Sequence, residues 1–299
     1  MYEIHRLNFG SVRIDAAMRV RGTAPGRIIE VPAQGFLLMG PDGPILVDAG
    51  YRDPSVLGMG GTVAPGQGFH EQLAAHGLEA GDLACVLMTH LHRDHAGHLD
   101  KVPMHVPVVV NRSELAGACS GIQGRAYAKD DLHHLIERVY HPGSLVFLDL
   151  ETSGPEQLFP GISCRLSGGH TPGSIGIVVE TAEGEAYLCG DLLYDVEGSL
   201  HRPPREGAVA GVQPTYLVPT DPGLTNNFTT SVLQEIGAVK HARRYRFVMP
   251  AHDDPGVLDG GRYIGRITGD VIPGPVTPVA DSAEEAAPDD RGATCARSS

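Results

Sequence analysis

The chain has 299 residues and a formal charge of −13, with 41% apolar and 20% charged residues. That composition belongs to a soluble globular protein with a large core, and no apolar run approaches the 18 residues of a membrane span. So acidic a chain is a poor match for a nucleic-acid backbone, which needs a basic surface. The first residues, MYEIHRLNFGSVRID, have no apolar h-region, which predicts no secretory signal. The five cysteines (Cys85, Cys119, Cys164, Cys189 and Cys295) form no C-x-x-C pair, and such dispersed thiols predict a reducing, cytoplasmic setting.

Strand signals dominate the first third. GSVRIDAAMRV (10–20) and IIEVPAQGFLLMG (28–40) are followed, after a Pro-Asp-Gly-Pro turn, by PILVDAG (44–50). HEQLAAHGL (70–78) reads as an amphipathic helix, and ACVLMTH (84–90) as a buried strand that runs into a histidine cluster. PVVVN (107–111) is another strand, and a helix is predicted to start at Ser113. Residues 117–143 hold a polar helical stretch, DDLHHLIERVY, that suits a cap over a pocket. Three more strands are predicted in 161–167, 174–181 and 186–193, then an irregular Pro- and Gly-rich stretch over 196–228. A helix over 229–243 and a last strand in RFVMPAHD (246–253) complete the order. Residues 1–271 are expected to form one layered α/β domain. Residues 272–299 carry five acids, two bases and many Pro and Ala, and are expected to be a disordered tail.

The chemistry is concentrated in THLHRDHAGH (89–98). His90, His92, Asp94 and His95 fall within six positions, directly after a buried strand that can aim them into one pocket. Imidazole and carboxylate suit zinc, iron, manganese or cobalt, with no need for thiolate. Three further ligand types each follow an apolar run: His170 in SGGHTPGS, Asp191 after AYLCG, and His252 in VMPAHDD. Five histidines and two aspartates are enough for two metals. No G-x-S-x-G elbow supplies a serine nucleophile.

The order H-x-H-x-D-H, then His in G-H-T-P-G, then Asp, then His resembles the metallo-β-lactamase superfamily over roughly 28–254. The resemblance implies a single four-layer αβ/βα sandwich with two divalent metals, zinc first among them, at one edge. Carried over, His90, His92 and His170 would hold one metal, and Asp94, His95 and His252 the other, with Asp191 between them. Asp48 and His98 match no ligand position and would orient ligands instead. The reaction implied is hydrolysis by a hydroxide shared between the metals, which lower the pKa of bound water to about 7.

Asp191 argues against antibiotic hydrolysis, because similar His-rich lactamases generally lack it. Tyr194, three residues on in D-L-L-Y, resembles a tyrosine of the N-acyl-homoserine lactonases, so a lactone or related ester is the expected substrate and quorum quenching the expected role. Asp94, Asp191 and Tyr194 are the expected catalytic residues. A thioester hydrolase like the hydroxyacylglutathione hydrolases, a mono-iron enzyme like the persulfide dioxygenases, and a metal-stabilised binding protein are the alternatives. Phe69, Tyr127 and Tyr140 are candidates for pocket walls.

Overall fold

A computed structural model describes residues 1–19, 24–53, 60–200 and 229–279. Two eight-stranded sheets lie face to face. The first holds β1 (Glu3–Asp15), β2 (Ile28–Met39), β3 (Ile45–Val47), β4 (Gly61–Thr62), β5 (Cys85–Leu87), β6 (Val108–Asn111) and β7 (Leu145–Leu148). The second holds β8 (Glu156–Phe159), β9 (Ile162–Leu166), β10 (Ile175–Thr181), β11 (Gly184–Gly190), β12 (Phe247–Pro250), β13 (Gly256–Asp259) and β14 (Arg262–Arg266). The chain then returns to the first sheet as β15 (Val271–Ile272) and to the second as β16 (Thr277–Pro278).

Strands with both faces covered read as unbroken apolar runs, because the side-chain period of two sends alternate residues into different cores. In β3, Ile45 and Val47 enter the core between the sheets, while Leu46 enters the outer core of the first sheet. In β11, Ala186 and Leu188 point between the sheets, while Tyr187 and Cys189 point outward. The outer faces are covered by helices. Phe69 and Leu73 of α2 (Phe69–Ala74), Leu115 of α4 (Arg112–Cys119) and Leu135 of α5 (Lys129–Val139) pack on the first sheet. Val196 and Leu200 of α7 (Val196–Leu200), and Val239 of α8 (Val232–Ala242), pack on the second. Short helices α1 (Ala16–Arg19), α3 (Arg93–Ala96) and α6 (Leu150–Ser153) complete the set. The result is the four-layer αβ/βα sandwich that the ligand order implied.

Two expectations need correction. The strand in 246–253 is not the last, since β13 to β16 follow it. Of the mostly irregular stretch expected over 196–228, 196–200 form α7, and 201–228 lie outside the described residues. The expected tail does not start at 272. Ile272 is fully buried between the sheets and pairs with Ile4, and Thr277 pairs with Arg266. Two-residue edge strands are held by backbone pairing, which needs no apolar alternation and tolerates the neighbouring prolines. The remainder of the expected tail, 280–299, lies outside the described residues. The stretch 117–143 does reach the cleft, which Arg125 and Ala126 line, while its helix α5 packs Leu135 and Arg138 against the first sheet. Among the described residues no helix is long and apolar enough to cross a membrane.

Candidate metal centre

Every proposed ligand follows a strand end at one edge of the sandwich. His90 lies three residues beyond β5, His170 four beyond β9, Asp191 one beyond β11 and His252 two beyond β12. β3 and β5 are parallel, as are β11 and β12, so these ends open on the same side. Binding in open α/β sheets collects at such carboxyl ends. Backbone bonds join the two sheets there: Ile175 N–H donates to the Thr89 carbonyl at 2.9 Å, and Gln34 N–H to that of Ala251 at 3.1 Å.

The seven side chains form two groups. Donor atoms of His90, His92, His170 and Asp191 all lie within 4.8 Å of one another, and so do those of Asp94, His95, Asp191 and His252. Asp191 belongs to both, one oxygen to each. Its Oδ2 faces His170 Nε2 at 3.3 Å and His90 Nε2 at 3.9 Å. Its Oδ1 faces His95 Nε2 at 3.0 Å and His252 Nε2 at 3.2 Å. His92 Nδ1 and His170 Nε2 are 3.0 Å apart, and His252 Nε2 is 3.2 Å from Asp94 Oδ2. Four ligands at 2.0–2.1 Å around a tetrahedral ion stand about 3.3 Å apart. The donor spacings therefore suit two such ions bridged by one carboxylate.

The outer ring nitrogens fix which lone pairs face inward. Asp48 accepts from Thr89 N–H at 2.8 Å, from the Thr89 hydroxyl at 2.7 Å and from His95 Nδ1 at 2.7 Å. With its proton given to Asp48, the Thr89 hydroxyl accepts from His90 Nδ1 at 3.1 Å. His90 Nε2 is then a buried lone pair with no hydrogen-bond partner, the kind of orphan that a metal satisfies. His252 Nδ1 donates to the Pro32 carbonyl at 2.7 Å, which likewise turns its Nε2 inward. Asp48 holds this position at φ +58°, a left-handed conformation uncommon outside glycine. Gly190 has φ +52°, and a Cβ there would stand 2.6 Å from Thr89 Oγ1, so the residue before Asp191 must lack a side chain.

Charge follows the same division. Burial and the neighbouring imidazoles keep His90 well below its usual range and bring His92 down to about 3, so both are neutral and ready to ligate. Burial also disfavours a charge on His95 and His252, but the carboxylates around them outweigh it. Asp191, Asp48 and Asp94 hold His95 well above its usual range, and Asp191 and Asp94 raise His252 to about 10. Burial pushes the Asp94 carboxyl up, yet His95 and His252 bring it down to about 2. A cluster that so demands positive charge suits a cation.

The cleft at this edge is bounded by His92, Asp94, His170, Asp191, Tyr194 and His252 on the chemical side. Val12, Ile14 and Val31 form an apolar wall, and Arg93, Arg125 and Ala126 the rim. Arg93 holds that rim in place, since its backbone N–H donates to the Ala126 carbonyl at 2.9 Å and its guanidinium to the carbonyls of Arg125 and Tyr127. Tyr194 donates to Asp191 Oδ2, and its ring stacks on His252 with centroids 5.1 Å apart.

The other sequence candidates separate. Tyr127 is buried with its ring edge-on to His92 at 4.8 Å. Phe69 is not a pocket wall but core beneath α2, and Tyr140 is 81% exposed on the surface. His98 is buried between Phe9 and Phe69 and bonds the Ala49 carbonyl, so it packs behind the site and touches no ligand. Sequence reasoning missed Thr89, the apolar wall and Glu114. Glu114 shares a helix face with the buried Leu115 and Ala118, and an acid in such a stripe is the signal that was available. Asp48→Asn keeps size and tolerates positive φ, but its amide would confront donors. It is expected to weaken the metal held by His95 about 10–100-fold, read by competition with a chelating dye.

Residues 30–291 match the family described as the metallo-beta-lactamase superfamily. An N-acyl homoserine lactonase of Bacillus thuringiensis is 28% identical over 202 residues, 63% of this chain and 74% of its own. A probable metal-dependent hydrolase from Staphylococcus aureus superposes with a TM-score of 0.67 at 19% identity, over 89% of this chain and 97% of its own. The dizinc quorum-quenching lactonase AidC, solved with a product, N-hexanoyl-L-homoserine, gives 0.62 at 15% identity over 92% and 95%. With the family matched over most of its length and the ligand order laid out at one sheet edge, the chain belongs to the metallo-beta-lactamase superfamily.

Proposed function

We propose that this metallo-hydrolase opens lactone rings, with N-acyl-homoserine lactones as the leading substrates and quorum quenching as the role. The observation that carries the reading is Tyr194, a half-buried phenol bound to the carboxylate shared by both ligand groups and facing a cleft with one apolar wall. The lactonase relatives support it. His90, His92 and His170 would hold one divalent ion, and Asp94, His95 and His252 the other, with Asp191 reaching both; zinc is the leading metal. Such ions lower the pKa of water and polarise a carbonyl oxygen.

The chain's own groups do the rest. Asp191 fixes the spacing of the two positions. Asp94, partly open to the cleft and held near 2, stays ionised and is placed to accept a proton beside the substrate. Burial and the charges of Asp191 and Asp94 push the Tyr194 phenol well above its usual range, so it stays a donor at neutral pH. Turned from Asp191 to the substrate, its one hydroxyl hydrogen would bond the developing oxyanion or the leaving alkoxide. Val12, Ile14 and Val31 offer the acyl chain an apolar seat. Free Cys85, Cys119, Cys164 and Cys189 support a cytoplasmic location.

A hydrolysis screen over acyl-homoserine lactones, aliphatic lactones, aryl esters, thioesters and β-lactams, with metal analysis of the same sample, tests the proposal. Lactones are expected to be preferred, with one proton released per ring opened. Turnover of thioesters with none of lactones overturns it. Tyr194→Phe is expected to lower kcat by about 10²–10³-fold with the metals retained, as loss of one donor to an oxyanion does.

A further inference from the structure

Glu114 is a fully buried acid on α4 that none of the chemistry above uses. Its carboxylate is surrounded by donors. Oε1 accepts from Leu91 N–H at 2.9 Å and from the Tyr127 hydroxyl at 3.3 Å. Oε2 accepts from the Thr171 hydroxyl at 2.5 Å and from Gly173 N–H at 3.2 Å. Leu91 sits between His90 and His92, and Thr171 directly follows His170. Tyr127 is the ring packed against His92. One carboxylate thus ties together the two loops that supply all three histidines of the first group. These bonds reach neither Asp94, His95, Asp191 nor His252.

The approach of the second loop is close by necessity. A Cβ on Gly173 would lie 2.1 Å from Glu114 N, so the turn after His170 can rest on the start of α4 only with glycine there. We propose that Glu114 is a positioning residue that sets the spacing of His92 and His170, and thereby governs affinity at the first metal position alone. The inference rests on the metal sites of the proposed function but not on the substrate.

The chemistry makes a sharp test available. Each carboxylate oxygen faces one backbone N–H, and a backbone N–H cannot turn into an acceptor. In Glu114→Gln the side-chain amide has nearly the same shape, yet either orientation sets its NH₂ against Leu91 N–H or Gly173 N–H. If Glu114 merely filled space, glutamine would be silent. Thr171→Val is the second variant: it deletes the 2.5 Å bond while keeping the β-branched shape, and introduces no opposed donors.

Metal-stripped wild type, Glu114→Gln, Thr171→Val and Asp48→Asn are titrated with Co²⁺, followed by the d–d absorption of each position and by calorimetry. Circular dichroism checks the fold. Wild type is expected to fill two positions. Glu114→Gln is expected to weaken one of them about 10–100-fold and leave the other unchanged. Thr171→Val weakens the same position by less, whereas Asp48→Asn, which reaches His95 directly and His90 through Thr89, weakens the second position as well as the first. Two positions of wild-type affinity in Glu114→Gln overturn the inference, and so does equal weakening of both. Because metal binding is the readout, such a failure is distinct from that of the lactone reading, which the hydrolysis screen decides.

Discussion

Asp191→Ala is expected to lower kcat/KM by about 10³-fold or more and to disturb both metal positions at once. Asp191 is the one residue shared by both ligand groups, with Oδ2 toward His90 and His170 and Oδ1 toward His95 and His252. Alanine would remove a donor from each group, the element that fixes their separation and the acceptor of the Tyr194 hydroxyl. Metal stabilisation of charge in the transition state is worth several kcal/mol, and each 1.36 kcal/mol is tenfold in rate. Asp94→Ala provides the contrast, since Asp94 serves one group only and should disturb one metal position. Steady-state kinetics and metal content on the same preparations check this. Activity within tenfold of wild type in Asp191→Ala would remove the case for a shared carboxylate.

The candidate ligand cluster was legible because polar groups there follow apolar strands, and such strands need no tertiary information to be recognised. His90, His170, Asp191 and His252 all follow that pattern, and the sheets bring their ends to one edge. The seven-ligand order also carries the layer architecture, through the resemblance it supports. What escaped was set by partners distant in sequence. Glu114 looks like an ordinary acid in the first turn of a helix, and only the arrival of Thr171 and Gly173, nearly 60 residues on, buries it. Val12, Ile14 and Val31 belong to the paired strands β1 and β2, whose face against the cleft depends on where Tyr194 and His252 come to lie. Ile272 sits among prolines and glycines, and its burial follows from pairing with β1, at the opposite end of the chain. Phe69 and Tyr140 show the converse: aromatic identity alone separates neither a wall from a core residue nor a core residue from an exposed one.

Removal of the metals by a chelator is expected to abolish activity and to lower thermal stability together. The first effect follows from the role of the metals in activating water: among the described residues the cleft lining holds no serine or cysteine, and Tyr194 is kept protonated. The second follows from linkage. An ion that binds only the native state adds about 4.1 kcal/mol of stability when free metal is a thousand times its dissociation constant. The sign is fixed by the site, since the proposed ligands converge from four separate strand ends that the unfolded chain does not bring together. Without the ions, Asp48, Asp94 and Asp191 rely on protonated His95 and His252 for their compensation, in a place where burial opposes every charge. His92→Ala should reproduce part of both effects, because His92 is a donor in the first group alone. Activity and unfolding temperature, measured before chelation, after it and after return of zinc, manganese, iron or cobalt in turn, check the expectation and rank the metals. A metal-stripped protein that turns over at the wild-type rate would overturn the metal assignment and, with it, the proposed reaction.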